Sequence, residues 1–417
     1  MAARQAYDYV IIGAGSAGCV LANRLSADPS VSVLVLEAGP EDRGWKIHMP
    51  AALAEPLKDT TYNWWYETEP QARLDGRRIY WPRGRVIGGS SSINGMAYVR
   101  GHALDYQRWA AEGAPGWSYA EVLPYFRRAQ THATGGDAYR GGDGPLRVRT
   151  GSIRNPLYDA WLEAGRQAGY ALTQDMNGHQ QEGLARMDMT VHKGRRCSAA
   201  VAYLRPAMAR PNLDVLSEAM TTRVLFEGRR AVGVEYARWG TTGTVRAERE
   251  VIVSSGAING PQLLMLSGVG EADHLRGFGI PVVHDLPGVG RNLQDHLECY
   301  IQYACTKPVT LYPALKPLGR LRIGLEWLLF NTGLGATNHF EAGGFIRSRA
   351  GVEHPDLQYH FFPMAITYYG TQPASGHGFQ AHVGPMRSPS RGAIRLRSAD
   401  PTAHPIIEPD YMSHDAD

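Results

Sequence analysis

Apolar runs alternate with glycine turns from the first residues onward. Residues 8–12 (Asp-Tyr-Val-Ile-Ile) form a short apolar run bounded by glycine, the pattern of a buried strand. A glycine turn over 13–18 follows. Residues 17–27 place Val20, Leu21 and Leu25 on one face and predict a helix. Residues 31–36 predict a second buried strand that ends at Glu37, which completes a compact β-α-β unit. Between 40 and 85 the pattern changes to Pro, Trp and Tyr, including Tyr62-Asn63-Trp64-Trp65-Tyr66, and a glycine- and serine-rich stretch runs from 84 to 101. Residues 105–130 predict helix, 135–145 a loop, and 155–169 an amphipathic helix. Strand patterns recur at 213–216, 222–226, 231–236 and 250–253, punctuated by Glu227-Gly228 and Trp239-Gly240. A helix is predicted over 261–266. Beyond 300, apolar strands alternate with Pro- and Gly-rich loops, with no internal repeat.

Composition narrows the class. A chain of 417 residues predicts two to three domains. Hydrophobic residues at 43% against 20% charged support a large core and exclude wholesale disorder. The 48 glycines are about 11.5% of the chain, above the usual ~7%, and lack a Gly-X-Y period, so they mark turns and close backbone approaches rather than collagen. A formal net charge of +3 gives no sign of a nucleic-acid partner. The cysteines Cys19, Cys197, Cys299 and Cys305 form no CxxC or metal-like cluster, so no metal is expected and the thiols read as reduced and cytoplasmic. The N-terminus carries no signal-peptide pattern, and no window reaches ~18 consecutive apolar residues.

Candidate chemistry sits in three glycine segments. Gly13-x-Gly15-x-x-Gly18 lies between a predicted strand and a predicted helix. Its glycines permit a tight turn, close approach of a pyrophosphate and helix–strand packing, and the helix N-terminus offers free N–H groups. Glu37 stands where a carboxylate takes ribose hydroxyls and disfavours a 2′-phosphate. The motif does not separate FAD from NAD. The second segment, residues 84–96 (Gly-Arg-Val-Ile-Gly-Gly-Ser-Ser-Ser-Ile-Asn-Gly-Met), adds paired glycines and neutral donors, which suits a longer, two-ended cofactor. The third, residues 256–270, reads as a strand end, a glycine turn and a short helix opening near Pro261.

Together these segments resemble the glucose–methanol–choline (GMC) family of FAD-dependent oxidoreductases, over nearly the whole chain from Asp8 to Met412. Residues 84–107 resemble the family's first signature and 256–270 its second, with Gly260 where the family usually has Ser or Thr. The stretches 292–297, 311–315, 338–348 and 386–392 are most similar to its bacterial choline-oxidising members. Members acting on aliphatic or polyethylene-glycol alcohols share much of the N-terminal half.

The resemblance implies an α/β (overall α+β) fold, with a Rossmann-like FAD-binding domain over 1–45, 80–150 and 205–300. A discontinuous substrate domain on an antiparallel sheet is expected over 46–79, 151–204 and 301–387, and a C-terminal GMC unit beginning at 388. It implies that Gly13, Gly15, Ser16, Ala17 and Gly18 hold the pyrophosphate. Glu37 and Ala38 lie at the adenosine ribose, and Val224 meets the adenine. Val86, Gly89, Ser90, Asn94, Gly95, Met96, Ala97 and Ala257 lie along the rest of the FAD. Ile93 stands where some members bind flavin covalently through His, so the FAD is expected to be non-covalent.

The implied reaction is oxidation of a primary alcohol, choline to betaine aldehyde, by proton removal and hydride transfer to flavin N5. The family's catalytic His is expected beyond Asp417, which leaves a chain that binds FAD without completing the reaction as the alternative. Spacing licenses none of His296, His339 or His360 as a replacement base. Quaternary ammonium recognition calls for aromatic faces and a carboxylate. Trp64 and Glu341 are the candidates, with Tyr62, Trp65, Tyr66, Phe361 and Phe362 as further aromatic faces. Oxygen, a quinone of the respiratory chain and a soluble carrier all remain open as the electron acceptor, and residues 318–330 offer either a packed helix or a surface lying on the inner face of the cell membrane. Oligomeric state leaves no mark in the sequence.

Overall fold

A computed structural model describes residues 4–366 and 374–417. The strands that build its two main sheets are, in chain order, β1 (Ala6–Ile12), β2 (Val33–Leu36), β3 (Gly183–Arg186), β4 (Leu213–Leu216), β5 (Met220–Glu227), β6 (Arg230–Arg238), β7 (Thr241–Val253), β8 (Cys299–Ala304), β9 (Ala342–Ile346), β10 (Leu357–Phe362) and β11 (Gly378–Pro385). Helix α1 (Ser16–Leu25) follows β1, α2 (Gly256–Leu266) follows β7, and α3 (Pro317–Phe330) precedes β9.

The first sheet has the order β4-β2-β1-β7-β6-β5. β4, β2, β1 and the C-terminal half of β7 run parallel, while β6 and β5 turn back antiparallel. All four residues of β2 are buried, because both faces of a parallel strand are covered. On one face Ile11, Val33 and Val35 pack on Cys19 and Ala22 of α1 and on Ala200 and Leu204. On the other, Val10, Ile12, Leu34 and Leu36 pack on Val224, Val234 and Leu263. The predicted β-α-β unit is therefore the centre of a layered α/β domain.

Three elements differ from the sequence expectation for local reasons. The strand pattern at 250–253 is the end of the thirteen-residue β7, whose first half pairs with β6 and whose second half pairs with β1; Arg246 faces both Gly233 and Ala6. The helix predicted over 105–130 is two helices, Ala103–Ala111 and Tyr119–Ala129. Gly113 and Gly116 at positive φ separate them, and a capping box from Ser118 and Glu121 starts the second. Helix α2 starts at Gly256 rather than near Pro261, because Gly256 at φ +85 turns the chain directly out of β7.

The second sheet is antiparallel throughout, in the order β8-β11-β10-β9-β3. Hydrogen bonds from Asn338 Nδ2 to Gly95 O (2.7 Å) and from Tyr158 Oη to His339 O (2.6 Å) tie the segment before β9 to the rest of the chain. A hairpin of Ala393–Arg395 and Ile406–Glu408 packs Ile394, Leu396 and Ile407 against Ile258, Met265 and Leu266 of α2. The hairpin thus lies against α2, on the helix layer beside the first sheet.

Candidate functional site

A groove of about 570 Å³ opens where β1, β2 and β7 end. Its floor is the first glycine segment. Gly13, at φ +93, donates its N–H to Leu36 O at 2.7 Å, and Gly15 caps α1 without a side-chain bond, leaving the first-turn N–H groups free. A Cβ on Gly18 would lie 1.9 Å from Gly13 O, so only glycine lets α1 sit this close to the strand end. The second segment closes on the first: Gly88 N–H donates to Ala14 O (2.7 Å), and a Cβ on Gly89 would lie 2.7 Å from Gly15 Cα. Just before the third segment, the Ser254 hydroxyl donates to Gly13 O at 3.0 Å, and the segment itself places Ala257 on the groove wall.

Glu37 is buried and accepts from the N–H groups of Ala14 and Gly39, both at 2.9 Å. Burial raises its carboxyl to about 7, against the lowering influence of those two N–H groups and the Arg85 charge. Each carboxylate oxygen takes one of these bonds, and Glu37 and Ala38 both line the groove. Gly13, Gly15, Ser16, Ala17, Glu37, Ala38, Gly89, Ser90 and Ala257 all line this groove. Val224 does not: it is buried, its N–H goes to Ser267 Oγ (2.8 Å), and Ala219, Met220 and Thr221 line the groove there.

Beyond the groove, the turn at 94–96 is drawn together by Asn94 Oδ1, which accepts from Met96 N–H at 3.1 Å. Met96 holds φ +60 and packs on Met189 and Val191, Ala97 pairs with Met189, and Val86 is buried with Ile47 and Ile93. A Cβ on Gly95 would lie 3.8 Å from the Phe340 ring, so Phe340 stands over this turn.

An aromatic cluster surrounds Phe340. Phe362 stacks on it at 4.8 Å, His382 meets it edge-on at 5.4 Å and His360 at 6.0 Å, and Tyr300 lies 4.2 Å from His382. Gln380 Oε1 accepts from Gln302 Nε2 (2.7 Å) and Ile366 N–H (2.8 Å), which orients its amide to donate from Nε2 to His382 Nε2. A neutral His382 then carries its proton on Nδ1 and donates to Glu298 Oε1. Burial lowers His360 to about 4, partly opposed by the Glu298 charge, and His339 likewise to about 4, opposed by Glu341. His296 joins neither group among the described bonds.

Trp64 and Glu341 are placed elsewhere. Trp64 lines the first groove, stacked on Tyr66 at 5.9 Å with the Arg85 guanidinium 5.6 Å from its ring. Glu341 is buried and occupied by the Ser152 hydroxyl (3.2 Å), the Ile153 N–H (2.5 Å) and the Thr337 hydroxyl (2.5 Å). Phe361 faces the Tyr158–Trp161 side of the sheet. Glu298, His382 and Phe340 are not among the residues the sequence pattern singles out. The available signal was Glu298 one residue past the Asn292–Leu297 motif, and Gln380 and His382 on the same face of one strand.

Among the described residues no cluster of His, Cys, Asp or Glu is suited to a metal, no helix is long and apolar enough to cross a membrane, and the four cysteines are free. The groove does fit a dinucleotide: three glycine backbones press where a side chain would fill the cradle, the helix N-terminus leaves N–H groups available for a diphosphate, and a buried carboxylate lines the same groove, as a ribose would require.

Comparison with known proteins agrees. A family model described as GMC oxidoreductase matches residues 7–298. The chain belongs to the GMC oxidoreductases, and FAD is its cofactor. It is 60% identical over 421 residues to the mitochondrial choline dehydrogenase of Homo sapiens, covering 99% of this chain and 71% of that one. It is 55% identical over 410 residues to the oxygen-dependent choline dehydrogenase of Brucella ovis, covering 98% and 74%. Among solved structures, pyridoxine 4-oxidase from Mesorbium loti superposes with a TM-score of 0.88 at 32% identity, covering 99% of this chain and 77% of that one. A formate oxidase superposes at 0.91 and 26%, covering 100% and 79%.

Proposed function

We propose that this chain binds FAD and choline as a choline dehydrogenase does, for oxidation of the alcohol to its aldehyde. The observation that carries this reading is its 55–60% identity to proteins of that name over 98–99% of its length. Gly13, Gly15, Ser16, Ala17 and Gly18 hold the pyrophosphate, Glu37 and Ala38 the ribose, and Ala257 the opposite wall. Val86, Gly89, Ser90, Asn94, Gly95, Met96 and Ala97 form or back the flavin end. The cofactor domain comprises 1–45, 80–150 and 205–300, and the substrate domain 46–79, 151–204 and 301–387. FAD supplies the hydride acceptor.

The residues around Phe340 suit a quaternary ammonium, which has no N–H to donate and is met by ring faces and a nearby carboxylate. Phe340 and Phe362 offer the faces and Glu298 the charge, while Gln380 and His382 fix the Glu298 carboxylate from behind. Trp64 and Glu341 leave this role, since one ring lies in the cofactor groove and the other carboxylate already accepts three bonds. Helix α3, with Leu318, Leu321, Leu325, Leu328 and Leu329 exposed, provides an apolar face for peripheral contact with the inner face of the cell membrane, and a quinone is the electron acceptor.

Two measurements test the reading. The purified chain should be yellow, and choline added without oxygen should bleach its visible absorbance. FAD-loaded protein that neither binds nor is bleached by choline overturns it. Phe340→Ala should weaken choline binding by about 30-fold, the equivalent of a ~2 kcal/mol desolvated cation–ring contact, by titration calorimetry. A neutral tert-butyl isostere of choline should respond far less.

A further inference from the structure

Arg196 is 1% exposed and among the largest fully buried side chains. Burial alone acts on its charge, lowering its basicity to about 9, and no carboxylate partners it among the described residues. Its Nε donates to Ile47 O at 2.8 Å, and its Nη1 to Ser91 O (3.3 Å), Asn94 O (2.6 Å) and Asn94 Oδ1 (2.9 Å); Nη2 is buried with no partner. An isolated buried cation costs several kcal/mol in lost hydration, and carbonyl tethering alone does not require one.

The tethered atoms show what the charge acts on. Asn94 O belongs to the Asn94–Gly95 peptide, whose N–H finds no acceptor among the described hydrogen bonds. A strong donor on a peptide carbonyl polarises the N–H of the same peptide. The next peptide is fixed at both ends, by Asn338 Nδ2 on Gly95 O and by Asn94 Oδ1 on Met96 N–H. The outcome is one free, polarised N–H on a rigid turn, with a guanidinium behind it.

We propose that Arg196 is a positioning residue that charges the turn 94–96 from behind, orienting the Gly95 N–H and favouring negative charge on a ring bound against that turn. This rests on the reading that the turn holds the flavin end of FAD. The chemistry gives the reason. An alcohol gives up one proton and one hydride; the hydride carries two electrons and one proton, so its arrival leaves one net negative charge to be stabilised. A fixed buried cation does so without reorganisation.

The test compares Arg196→Gln and Arg196→Lys with the parent chain. Each is assayed for retained FAD, for the flavin midpoint potential, and for affinity toward sulfite, an anion that adds reversibly to oxidised flavin. Arg196→Gln should keep FAD yet bind sulfite about tenfold more weakly, with a potential lower by ~30 mV, the two-electron equivalent of tenfold. Arg196→Lys, which keeps the charge, should stay near the parent in both. A Gln variant that retains FAD with unchanged potential and sulfite affinity overturns the proposal. If the Gln variant loses FAD, the Lys variant decides: parent-like values support the proposal, and loss of FAD from both variants overturns it in favour of a scaffold role. A parent chain without FAD overturns the reading of the turn itself, and the inference with it.

Discussion

Gly18→Ala is expected to strip FAD from the protein. The new Cβ would lie 1.9 Å from Gly13 O and 2.9 Å from Ser254 Oγ. The first is backbone at the end of a central strand, and it cannot yield as a flexible side chain would. Helix α1 must instead move by about 1.5 Å to restore an ordinary contact. That displaces the N–H groups proposed to meet the diphosphate, whose direction sets the strength of such contacts. Overpacking of this kind costs about 1–3 kcal/mol in stability, and the lost phosphate contacts add to it in the complex. FAD retained after gel filtration should fall by about 100-fold or more in apparent affinity, with a Tm lower by several degrees. Gly277→Ala, where an added Cβ meets nothing within 4 Å, should leave both unchanged. Stoichiometric FAD in the Gly18→Ala protein would refute the role given to this contact.

Glu37→Gln has the second large effect, and its sign depends on pH. The Glu37 carboxyl titrates near 7 in the folded chain, against an ordinary value of 4.5, because it is buried. A raised value means the folded FAD-free chain holds the proton more tightly than the unfolded one. The stability linked to that proton is full below about pH 4.5 and is lost as pH rises through 7. The loss amounts to about 3 kcal/mol at pH 8. Glu37→Gln should remove this component from the pH dependence of FAD-free stability, measured by urea unfolding at pH 5 and pH 8. FAD affinity should behave in the opposite sense. Ribose hydroxyls donate to the ionised carboxylate, so binding to the parent should strengthen as pH rises through 7. The Gln variant should bind about 10- to 100-fold more weakly at pH 8 and show no such rise, since a bond to a charged acceptor is worth about 1.5–3 kcal/mol. Its amide would also point donors at the Ala14 or Gly39 N–H groups.

What the sequence made legible was local. The β-α-β unit, the glycine turn and the acid at its end follow from apolar period and turn chemistry within thirty residues, and Gly13, Gly15 and Glu37 meet in one groove. The proposed substrate end was not legible, because its parts are distant in sequence. Glu298 meets His382 only through pairing of β8 with β11, and Phe340 reaches both from a segment before β9. Aromatic residues in the run at 62–66 and those at 340 and 362 look alike along the chain. Only the fold sends Trp64 to the cofactor groove and Phe340 to the histidines. Glu341 carries the charge a cation needs, but neighbouring hydroxyls and an N–H claim it. Arg196 was silent because a buried cation without a partner has no sequence signature at all.

Strand β7 sets a timetable for biosynthesis. It pairs in parallel with β1, joining Ile12 to Val253, and it leads directly into the third glycine segment. At about 5–20 residues per second, β7 leaves the ribosome on the order of 10–50 s after β1. During that interval the β1 edge is bare throughout, the β2 edge is bare until β4 arrives, and the groove has no far wall. Cofactor loading is therefore a late event, gated by the arrival of residues 241–257. A nascent chain arrested before β7 should cling to chaperones that cover strand edges, and one arrested well past it should begin to take up FAD.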